Sequence, residues 1–319
     1  MFHVGVDLGG TNIALGVVND NYEIVGRSKI KTNCPRPAEE IIDDMAKAVR
    51  LAVEDAGLSL EDISTIGVGS PGSVQPLTGV IATSNNLGFS NLPMGQMLKD
   101  RLGFDCYLEN DAAAAAYGEF LAGAGRGTQN FIAVTLGTGV GGGIIINGKL
   151  YAGSNFAGGE LGHTVIVYNG AQCTCGRKGC WEAYASATGL INLTKAKMLK
   201  CKDSKMWELT EGSIDKVSGR TAFDGMRAND PAAKEVVDSY IGYVACGITD
   251  MINIFQPDVI CIGGGISKEG DTLLNPVKEK VNEEYFSKNV EDLTKVKIAE
   301  LGNDAGIIGA AFIHRLYKK

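Results

Sequence analysis

Three cysteines and a histidine lie close together in the chain, and their types suit a metal ion. Cys173, Cys175 and Cys180 follow His163, in a loop rich in glycine. Structural zinc takes four such ligands in a tetrahedron at about 2.0–2.3 Å. The alternatives are small buried thiols or a disulfide, but neither predicts the Cys-X-Cys spacing. The four side chains are therefore predicted to hold one structural Zn²⁺, with no position left open for catalysis.

Three glycine-rich turns each follow a short apolar run. They are Gly9–Thr11, Gly137–Gly139 and Gly263–Gly265. Glycine leaves successive backbone N–H groups free to approach phosphate oxygens. One such turn is equally well explained as a structural tight turn. Three of them, two with a threonine hydroxyl, favour a polyphosphate ligand.

Other phosphate-binding classes fit the sequence less well. Gly137-X-Gly139-X-X-Gly142 matches the dinucleotide fingerprint, which should open a helix, but the strand-like run 144–146 follows it. The chain also contains no His-Arg-Asp, Asp-Phe-Gly or Gly-Lys-Ser/Thr element, as a protein kinase or a P-loop enzyme would. A nicotinamide site is excluded, and a different phosphotransferase architecture is predicted.

Length and composition are those of a globular protein with two cores. The chain has 319 residues, of which 45% are hydrophobic and 21% charged. Its net charge of −7 argues against a nucleic-acid surface. Neither a basic leader nor an apolar run of membrane-spanning length is present, so we expect a cytoplasmic protein without a membrane partner. The remaining scattered cysteines are expected to be reduced.

Strand-like and helix-like patterns alternate, which predicts an α/β protein. Strands are predicted at 2–8, 13–18, 22–31, 63–69, 106–109, 131–136, 144–146, 258–262 and 295–301. Helices are predicted at 38–56, 181–201, 231–255 and 304–319, and an alanine-rich helix is predicted from the end of Asn110-Asp111 through residue 121. A polar loop is expected between Pro71 and Phe89, and Asn110 or Asp111 is expected to cap the alanine-rich helix.

The strand, glycine turn and strand at 2–18 recur at 131–146, aligned at Asp7 and Thr135. An internal duplication explains this recurrence. Chance similarity between two glycine-rich hairpins is the alternative.

Six motifs together resemble, in order, the signatures of ROK-family sugar kinases, especially the bacterial ATP-dependent glucokinases. The resemblance covers nearly the whole chain, and its most specific part is the Glu-X-Gly-His motif paired with the cysteine cluster. The motifs are Asp7-Leu-Gly-Gly-Thr-Asn12, Glu109-Asn-Asp111, Leu136-Gly-Thr-Gly139, Glu160-X-Gly-His163, Cys173–Glu182 and Ile262-Gly-Gly-Gly265.

The resemblance implies two actin-like (ribonuclease-H-like) ATPase lobes with a cleft between them. A small N-terminal lobe would span 1–115, with the helix 304–319 packing on it, and a large lobe with the zinc-bound sugar loop would span 116–303. The family also implies a homodimer.

The resemblance assigns ATP and Mg²⁺ to the glycine-rich turns. Gly10, Thr11 and Asn12 would face the terminal phosphates, and Gly137, Thr138 and Gly139 the other phosphate side. Gly264 and Gly265 would face the adenosine, and Asp7 would help to hold Mg²⁺ through water.

Asp111 matches the family's general base, and a carboxylate at a helix N-terminus is kept ionised by the helix dipole. The glucose ligands implied by the family are Asn86, Asn110, Asp111, Glu160, His163 and Glu182. Whether Asn85 or Asn86 contacts the sugar stays open. His163 would ligate zinc with one ring nitrogen and contact the sugar with the other.

The prediction is transfer of the ATP γ-phosphoryl group to the 6-hydroxyl of glucose. A kinase for N-acetylmannosamine, N-acetylglucosamine or fructose is the nearest alternative, since neither the turns nor the cysteine cluster separates these sugars. A sugar-responsive repressor is the alternative from another class. Such repressors carry an N-terminal helix-turn-helix module, whereas the first strand is predicted here from Phe2.

Overall fold

A computed structural model describes residues 1–288 and 293–317. The chain forms two compact units. Unit 1 contains Met1–Ala133, Gly143–Gly159 and Ala299–Lys319, and unit 2 contains Val134–Gly142 and Glu160–Ile298. The lobes 1–115 and 116–303 that the family resemblance implies stay a prediction, and unit 1 continues beyond residue 115 to Ala133 and takes up a later segment.

The α/β class predicted from the sequence is observed. Among the described residues the strands are β1 Phe2–Leu8, β2 Asn12–Asn19, β3 Ile24–Lys31, β4 Ile63–Ser70, β5 Ser73–Gln75, β6 Val80–Ser84, β7 Phe89–Leu92, β8 Cys106–Asn110, β9 Phe131–Leu136, β10 Val140–Ile146, β11 Lys149–Tyr151, β12 Val259–Gly263 and β13 Lys295–Ile298.

The helices of the described residues are α1 Ala38–Asp55, α2 Met94–Leu102, α3 Asp111–Ala122, α4 Glu182–Ala185, α5 Ala187–Lys200, α6 Met206–Leu209, α7 Thr221–Arg227, α8 Pro231–Phe255, α9 Asp271–Glu284, α10 Asp304–Phe312 and α11 His314–Tyr317. None of these helices combines the length and apolar character needed to cross a bilayer.

The main sheet of unit 1 has the strand order β3-β2-β1-β4-β8. Strands β1, β2 and β3 pair antiparallel, whereas β4 lies parallel to both β1 and β8. The central strands are apolar on both faces because helices cover them, as is usual for parallel strands. The carboxyl ends of β1, β4 and β8 therefore meet at one edge of this sheet.

Helices α3 and α10 approach each other closely in unit 1, because glycine stands at their contact. A Cβ on Gly118 would lie 2.1 Å from the carbonyl oxygen of Ala305, and one on Gly309 would lie 1.7 Å from that of Ala114. The first turn of α3, which begins at Asp111, is held against the sheet by this packing.

The segment expected to be a polar loop after Pro71 contains a small antiparallel sheet, β5-β6-β7. The prediction of a loop was wrong because this segment has few apolar residues to mark its strands. Val74, Ile81 and Phe89 are nevertheless buried in the core of unit 1. Asn86 lies in the turn between β6 and β7.

A second sheet has the strand order β11-β10-β9-β12-β13. It repeats the order of the first sheet, with the strand pair β9 and β10 in the place of β1 and β2. The pair β10–β11 is antiparallel, as is β2–β3 in the first sheet. The pair β12–β13 is parallel, as is β4–β8. This recurrence supports the internal duplication inferred from the sequence.

Three predicted elements differ from the structure in their extent or continuity. The predicted helix 181–201 is divided into α4 and α5 at Ser186, whose extended backbone and side chain cap α5 by accepting from the N–H of Gly189. The predicted strand 295–301 ends at Ile298. The predicted helix 304–319 is α10 followed by α11, and residues 318–319 lie outside the described part of the chain.

Candidate functional site

The proposed base lies where the parallel strands of unit 1 end. Asp7 on β1 pairs with Gly69 on β4, which in turn pairs with Glu109 on β8. Asn110 ends β8, and Asp111 begins α3 directly after it. The strand register therefore brings Asp7 and Asp111, which are far apart in sequence, to the same edge of the sheet.

Asn110 caps α3, as one of the two sequence alternatives required. Its Oδ1 accepts from the N–H groups of Ala112 and Ala113 at 3.0 and 3.1 Å, and its Nδ2 donates to the carbonyl of Gly72 at 3.1 Å. With both ends of its amide engaged, Asn110 holds the turn between β8 and α3.

The carboxylate of Asp111 lies at the helix N-terminus but is largely buried. Burial raises its pKa, and the N–H group of Ala112, which it accepts at 2.9 Å, opposes that rise. The helix dipole alone favours the ionised form. Burial wins here, and a carboxylate with a raised pKa is a stronger proton acceptor once it is ionised.

Asp7 is the second carboxylate of this edge. Burial, and after it the charge of Asp111, raises the pKa of Asp7 to about 6. A Cβ on Gly306 of α10 would lie 3.1 Å from the Cγ of Asp7, so this glycine makes room for the carboxylate. Two neighbouring carboxylates that disfavour each other's charge suit a cation such as Mg²⁺.

The first glycine-rich turn joins β1 to β2. Its ends are tied by the N–H of Gly9 donating to the carbonyl of Asn12 at 2.9 Å. Gly10 and Thr11 are exposed at the tip. A Cβ on Gly10 would lie 4.0 Å from the Cβ of Asn86, so Asn86 is the asparagine that the structure places beside the turn.

The second glycine-rich turn joins β9 to β10 in unit 2. The N–H of Gly137 donates to the carbonyl of Gly139 at 3.0 Å. The N–H of Ala187 donates to the carbonyl of Gly137 at 2.8 Å, and the hydroxyl of Thr188 donates to that of Thr138 at 2.7 Å. The break between α4 and α5 thus supplies the groups that hold this turn.

The third glycine-rich turn follows β12 and lies against β9. Gly264 has φ 85° and a Cβ on it would lie 2.5 Å from the carbonyl oxygen of Leu136, so only glycine fits there. Gly265 is exposed and a Cβ on it would meet nothing within 4 Å. Within unit 2 the second and third turns are therefore neighbours, as a nucleotide site requires.

The four predicted zinc ligands converge in the loop of residues 160–182, called the cysteine loop below. One donor atom from each of His163, Cys173, Cys175 and Cys180 lies within 4.8 Å of all the others. The Sγ atoms of Cys175 and Cys180 are 3.6 Å apart, and Nδ1 of His163 is 3.7 Å from Sγ of Cys173. Tetrahedral Zn–S bonds of about 2.3 Å require sulfur atoms roughly 3.8 Å apart.

The chemistry of this donor set also fits a metal. All of these cysteines are free, which removes the disulfide alternative. Burial, reinforced by the other thiols, raises the pKa of Cys180 to about 12, whereas the N–H of Arg177 lowers the pKa of Cys175. A buried group of thiols gains most when a cation replaces their protons.

Glu182 connects the cysteine loop to the second turn. Its Oε2 accepts from the N–H of Val140 at 3.0 Å, and its Oε1 accepts from the hydroxyl of Thr174 at 3.2 Å and lies 3.6 Å from Sγ of Cys173. A Cβ on Gly139 would lie 2.3 Å from Oε2. The sequence assigned Glu182 to the sugar, and the structure adds this connecting role.

Glu160 and His163 stand at the start of the cysteine loop. Glu160 is exposed, and its carbonyl accepts from the N–H of His163 at 3.1 Å. At the other end of the loop Trp181 is fully buried, donates from Nε1 to the carbonyl of Tyr243 at 2.8 Å and packs on Gly247 of α8. The loop is thus anchored on the core of unit 2.

The residues that support these groups were not predicted from the sequence. Thr32 donates from its hydroxyl to the carbonyl of Gly9 at 2.6 Å, and its N–H donates to that of Thr11 at 3.0 Å. Thr188 and Gly306 act on the second turn and on Asp7. No local signal marks these residues, because each is defined by a partner distant in sequence.

Comparison with known proteins places the chain in a family. A model described as "ROK family" matches residues 3–316. A glucokinase from Halalkalibacterium halodurans is 38% identical over 98% of this chain and 94% of its own length. A xylose repressor from Caldicellulosiruptor bescii is 27% identical over 96% of this chain but only 76% of its own length.

Among solved structures, a ROK-family glucokinase from Streptomyces griseus in complex with glucose and AMPPNP is similar. It is 34% identical, covers 99% of both chains and superposes with a TM-score of 0.82. The actin-like (ribonuclease-H-like) ATPase fold implied by the sequence motifs is confirmed by this likeness and by the repeated strand order. The family model that matches nearly the whole chain and the 38% identical glucokinase show that the chain belongs to the ROK family.

Proposed function

We propose that this protein is an ATP-dependent glucokinase, which transfers the γ-phosphoryl group of ATP to the 6-hydroxyl of glucose. The observation that carries the proposal is Asp111, a carboxylate with a raised pKa on the first turn of a helix, beside the phosphate-type turn of β1. The likeness to glucokinases over the whole chain supports it.

Asp111 is proposed as the general base. Phosphoryl transfer requires mainly that the hydroxyl be aimed at the phosphorus, and the base takes the proton late. The hydrogen bonds of Asn110 fix the turn that presents Asp111. The raised pKa of Asp111 keeps it basic enough to accept this proton.

ATP is proposed to bind at the glycine-rich turns. In unit 1 the exposed tip at Gly10, Thr11 and Asn12 offers N–H and hydroxyl donors for phosphate oxygens. In unit 2, Gly137, Thr138 and Gly139 are proposed to take the other phosphate side, with Gly264 and Gly265 at the adenosine. Mg²⁺, held beside Asp7, would neutralise charge on the phosphates.

The proposed glucose ligands are Asn86, Asn110 and Asp111 in unit 1 and Glu160, His163 and Glu182 in unit 2. Such a set pairs hydroxyl donors with carboxylate and amide acceptors, and a site that bonds each hydroxyl rejects sugars lacking one. Because Nδ1 of His163 faces the thiols, its Nε2 is left for the sugar.

The cysteine loop is proposed to hold one Zn²⁺ through His163, Cys173, Cys175 and Cys180. With four protein ligands the metal would do no chemistry and would fix the loop that carries Glu160 and Glu182. We also expect a cytoplasmic homodimer, whose assembly size-exclusion chromatography with light scattering would measure.

The test is a coupled assay of ADP release across glucose, fructose, mannose, N-acetylglucosamine and N-acetylmannosamine. We expect the highest kcat/KM with glucose. A higher value with an N-acetylhexosamine or fructose would move the assignment to that sugar. A protein without sugar-dependent ADP release that shifts a specific DNA fragment in a gel would favour the repressor alternative, which the similarity to a xylose repressor raises.

A further inference from the structure

A buried carboxylate next to the proposed base has no role in the function described above. Glu109, on β8, is 5% exposed. Its Oε1 accepts from the N–H of Asn110 at 2.8 Å, and its Oε2 accepts from the hydroxyl of Tyr317. Neither partner carries a positive charge, although burying a carboxylate without a cation is costly. We expect a carboxylate that is buried in spite of this free-energy cost to hold the residues that contact it in place.

The protonation of this pair suits a permanent hydrogen bond. Burial raises the pKa of Tyr317, and the charge of Glu109 raises it further, so the phenol remains a donor at neutral pH. Burial also raises the pKa of Glu109, while the bonds from Tyr317 and Asn110 oppose that rise.

Glu109 acts on the backbone that leads to the base. The N–H group it binds belongs to Asn110, whose side chain caps α3 and donates to the carbonyl of Gly72. Asp111 is the next residue. A change in the peptide plane between Glu109 and Asn110 would therefore alter the direction of Asp111.

Tyr317 lies at the end of α11. Both Tyr317 and His314 of this helix contact residues of β8. The rings of His314 and Tyr107 are 6.2 Å apart, and Tyr107 and Glu109 share one face of β8 because they are two residues apart. The ring of Tyr317 also packs against the cluster that contains Ala114, one turn after Asp111.

A second contact connects Tyr317 to the segment that leads into the cysteine loop. The ring of Phe156 meets that of Tyr317 edge-on, with centroids 6.4 Å apart at 69°. Phe156 lies in a turn closed by the N–H of Gly158 donating to the carbonyl of Ala152 at 2.9 Å. Tyr317 thus contacts both the strand before the base and the segment before Glu160.

We propose that Tyr317 is a positioning residue for Asp111, acting through Glu109 on the turn between β8 and α3. This inference rests on the proposed function, because it assigns Tyr317 to the geometry of the same base. It gives the C-terminal helix α11 a role in turnover, although α11 itself supplies no group to the reaction.

The test compares Tyr317→Phe with Tyr22→Phe. The hydroxyl of Tyr22 accepts from Arg315 on the same helix at 3.0 Å, so the control also removes one hydroxyl contact of α11. We expect Tyr317→Phe to lower kcat roughly 10- to 100-fold, the cost of a small misplacement of a reacting group. The KM of Tyr317→Phe for ATP should stay within about twofold of wild type. The kcat of Tyr22→Phe should also stay within about twofold of wild type.

A second comparison separates positioning from a general structural fault. In the Asp111→Asn background, Tyr317→Phe should leave the residual rate unchanged, because no base remains to be positioned. An unchanged kcat in Tyr317→Phe, an equal loss in Tyr22→Phe, or the same loss in the Asp111→Asn background would each overturn the inference.

Failure of the proposed function gives a different result. A wild-type protein without sugar-dependent ADP release would overturn the kinase assignment and this inference together. An active wild type that is indifferent to Tyr317→Phe would overturn the inference alone.

Discussion

The glycine-rich turns after β1 and β9 are held by the same kinds of hydrogen bond from different parts of the chain. In the first turn the carbonyls of Gly9 and Thr11 accept from the hydroxyl and the N–H of Thr32, which directly follows β3. One residue of a neighbouring strand thus supplies both bonds. The first turn is held by the sheet to which it belongs.

In the second turn, one N–H and one threonine hydroxyl again hold two carbonyls, but they come from Ala187 and Thr188 at the start of α5. Glu182 adds a bond to the N–H of Val140 directly after this turn. Glu182 ends the cysteine loop and begins α4, and α5 follows directly in the chain. The second turn is therefore coupled to that loop within unit 2, whereas the bonds described for the first turn come from the sheet of unit 1.

The side chains near the two turns differ as well. Asp7 precedes the first turn and lies beside Asp111, while Thr135 stands at the aligned position before the second. Carboxylates at the first turn can serve a cation and a base. The second turn offers backbone donors whose placement depends on the cysteine loop. The two turns thus share one backbone arrangement, and we expect each of them to have a different role.

The largest expected effect is at the first turn. Asp111→Asn should lower kcat about 10²- to 10⁴-fold, the usual contribution of a positioned base, with little change in the KM for ATP. Stopped or coupled assays of ADP release measure it. Asp203→Asn, the same change at an exposed aspartate outside the proposed sites, is the matched control and should keep the wild-type kcat. An Asp111→Asn enzyme as fast as wild type would remove Asp111 from the mechanism.

Zinc removal should distinguish the two turns. Metal analysis is expected to find about one zinc per chain, lost in Cys175→Ser and retained in Cys201→Ser. Loss of the metal should weaken sugar binding roughly 10- to 100-fold, because disturbing the groups that orient a metal site costs about that factor in affinity or activity.

Hydrogen exchange gives the local readout for the same experiment. Without zinc, exchange should accelerate in 137–140 and 160–188 but remain unchanged in 7–12. Equal acceleration at both turns would contradict their independence, and wild-type protein free of zinc would contradict the metal site.

Asp7 should make the free energy of unfolding depend on pH, whereas Thr135, at the aligned position before the second turn, should not. The folded pKa of Asp7, about 6, exceeds the unfolded value of 3.8, so the ionised carboxylate destabilises the folded protein above pH 6, and this penalty disappears as the pH falls below the unfolded value. Asp7→Asn should raise the free energy of unfolding by about 1–3 kcal/mol at pH 7.5 without Mg²⁺, and not at pH 3.5.

Urea unfolding at several pH values measures the effect of Asp7→Asn. Thr135→Ser, at the aligned position of the second turn, is the control and should show no pH-dependent difference. A constant difference between Asp7→Asn and wild type across the whole pH range would argue against a raised pKa for Asp7.

The smallest expected effect tests why two of the turns contain glycine. The reason is either the close approach of a ligand or packing within the protein. A Cβ on Gly137 would come no closer than 4.0 Å to the protein, whereas one on Gly9 would lie 2.9 Å from the carbonyl oxygen of Asn12. Gly137→Ala should raise the KM for ATP about fivefold at unchanged melting temperature, through crowding of the phosphates alone. Gly9→Ala should also lower the melting temperature. If Gly137→Ala leaves the KM unchanged, phosphate does not approach this turn.

Much of the fold was predictable because local patterns are strong there. The hairpin of β1 and β2, the alanine-rich α3 and the long α8 follow from residue periodicity and glycine or cap positions. The small sheet β5-β6-β7 was missed because its strands are short and half of their residues are polar. The break at Ser186 was missed because its reason is a contact with the turn at Gly137.

The sequence by itself determined the chemistry available to this protein: three glycine-rich turns, a helix-capping Asn-Asp pair and four soft metal ligands, all readable from residue type and short spacing. Only the tertiary structure decided which of these groups become neighbours. Asp7 meets Asp111 through the register of parallel strands, Glu182 reaches the turn before Val140, and Tyr317 reaches Glu109 from the far end of the chain. Such contacts join residues distant in sequence, and no local pattern encodes them.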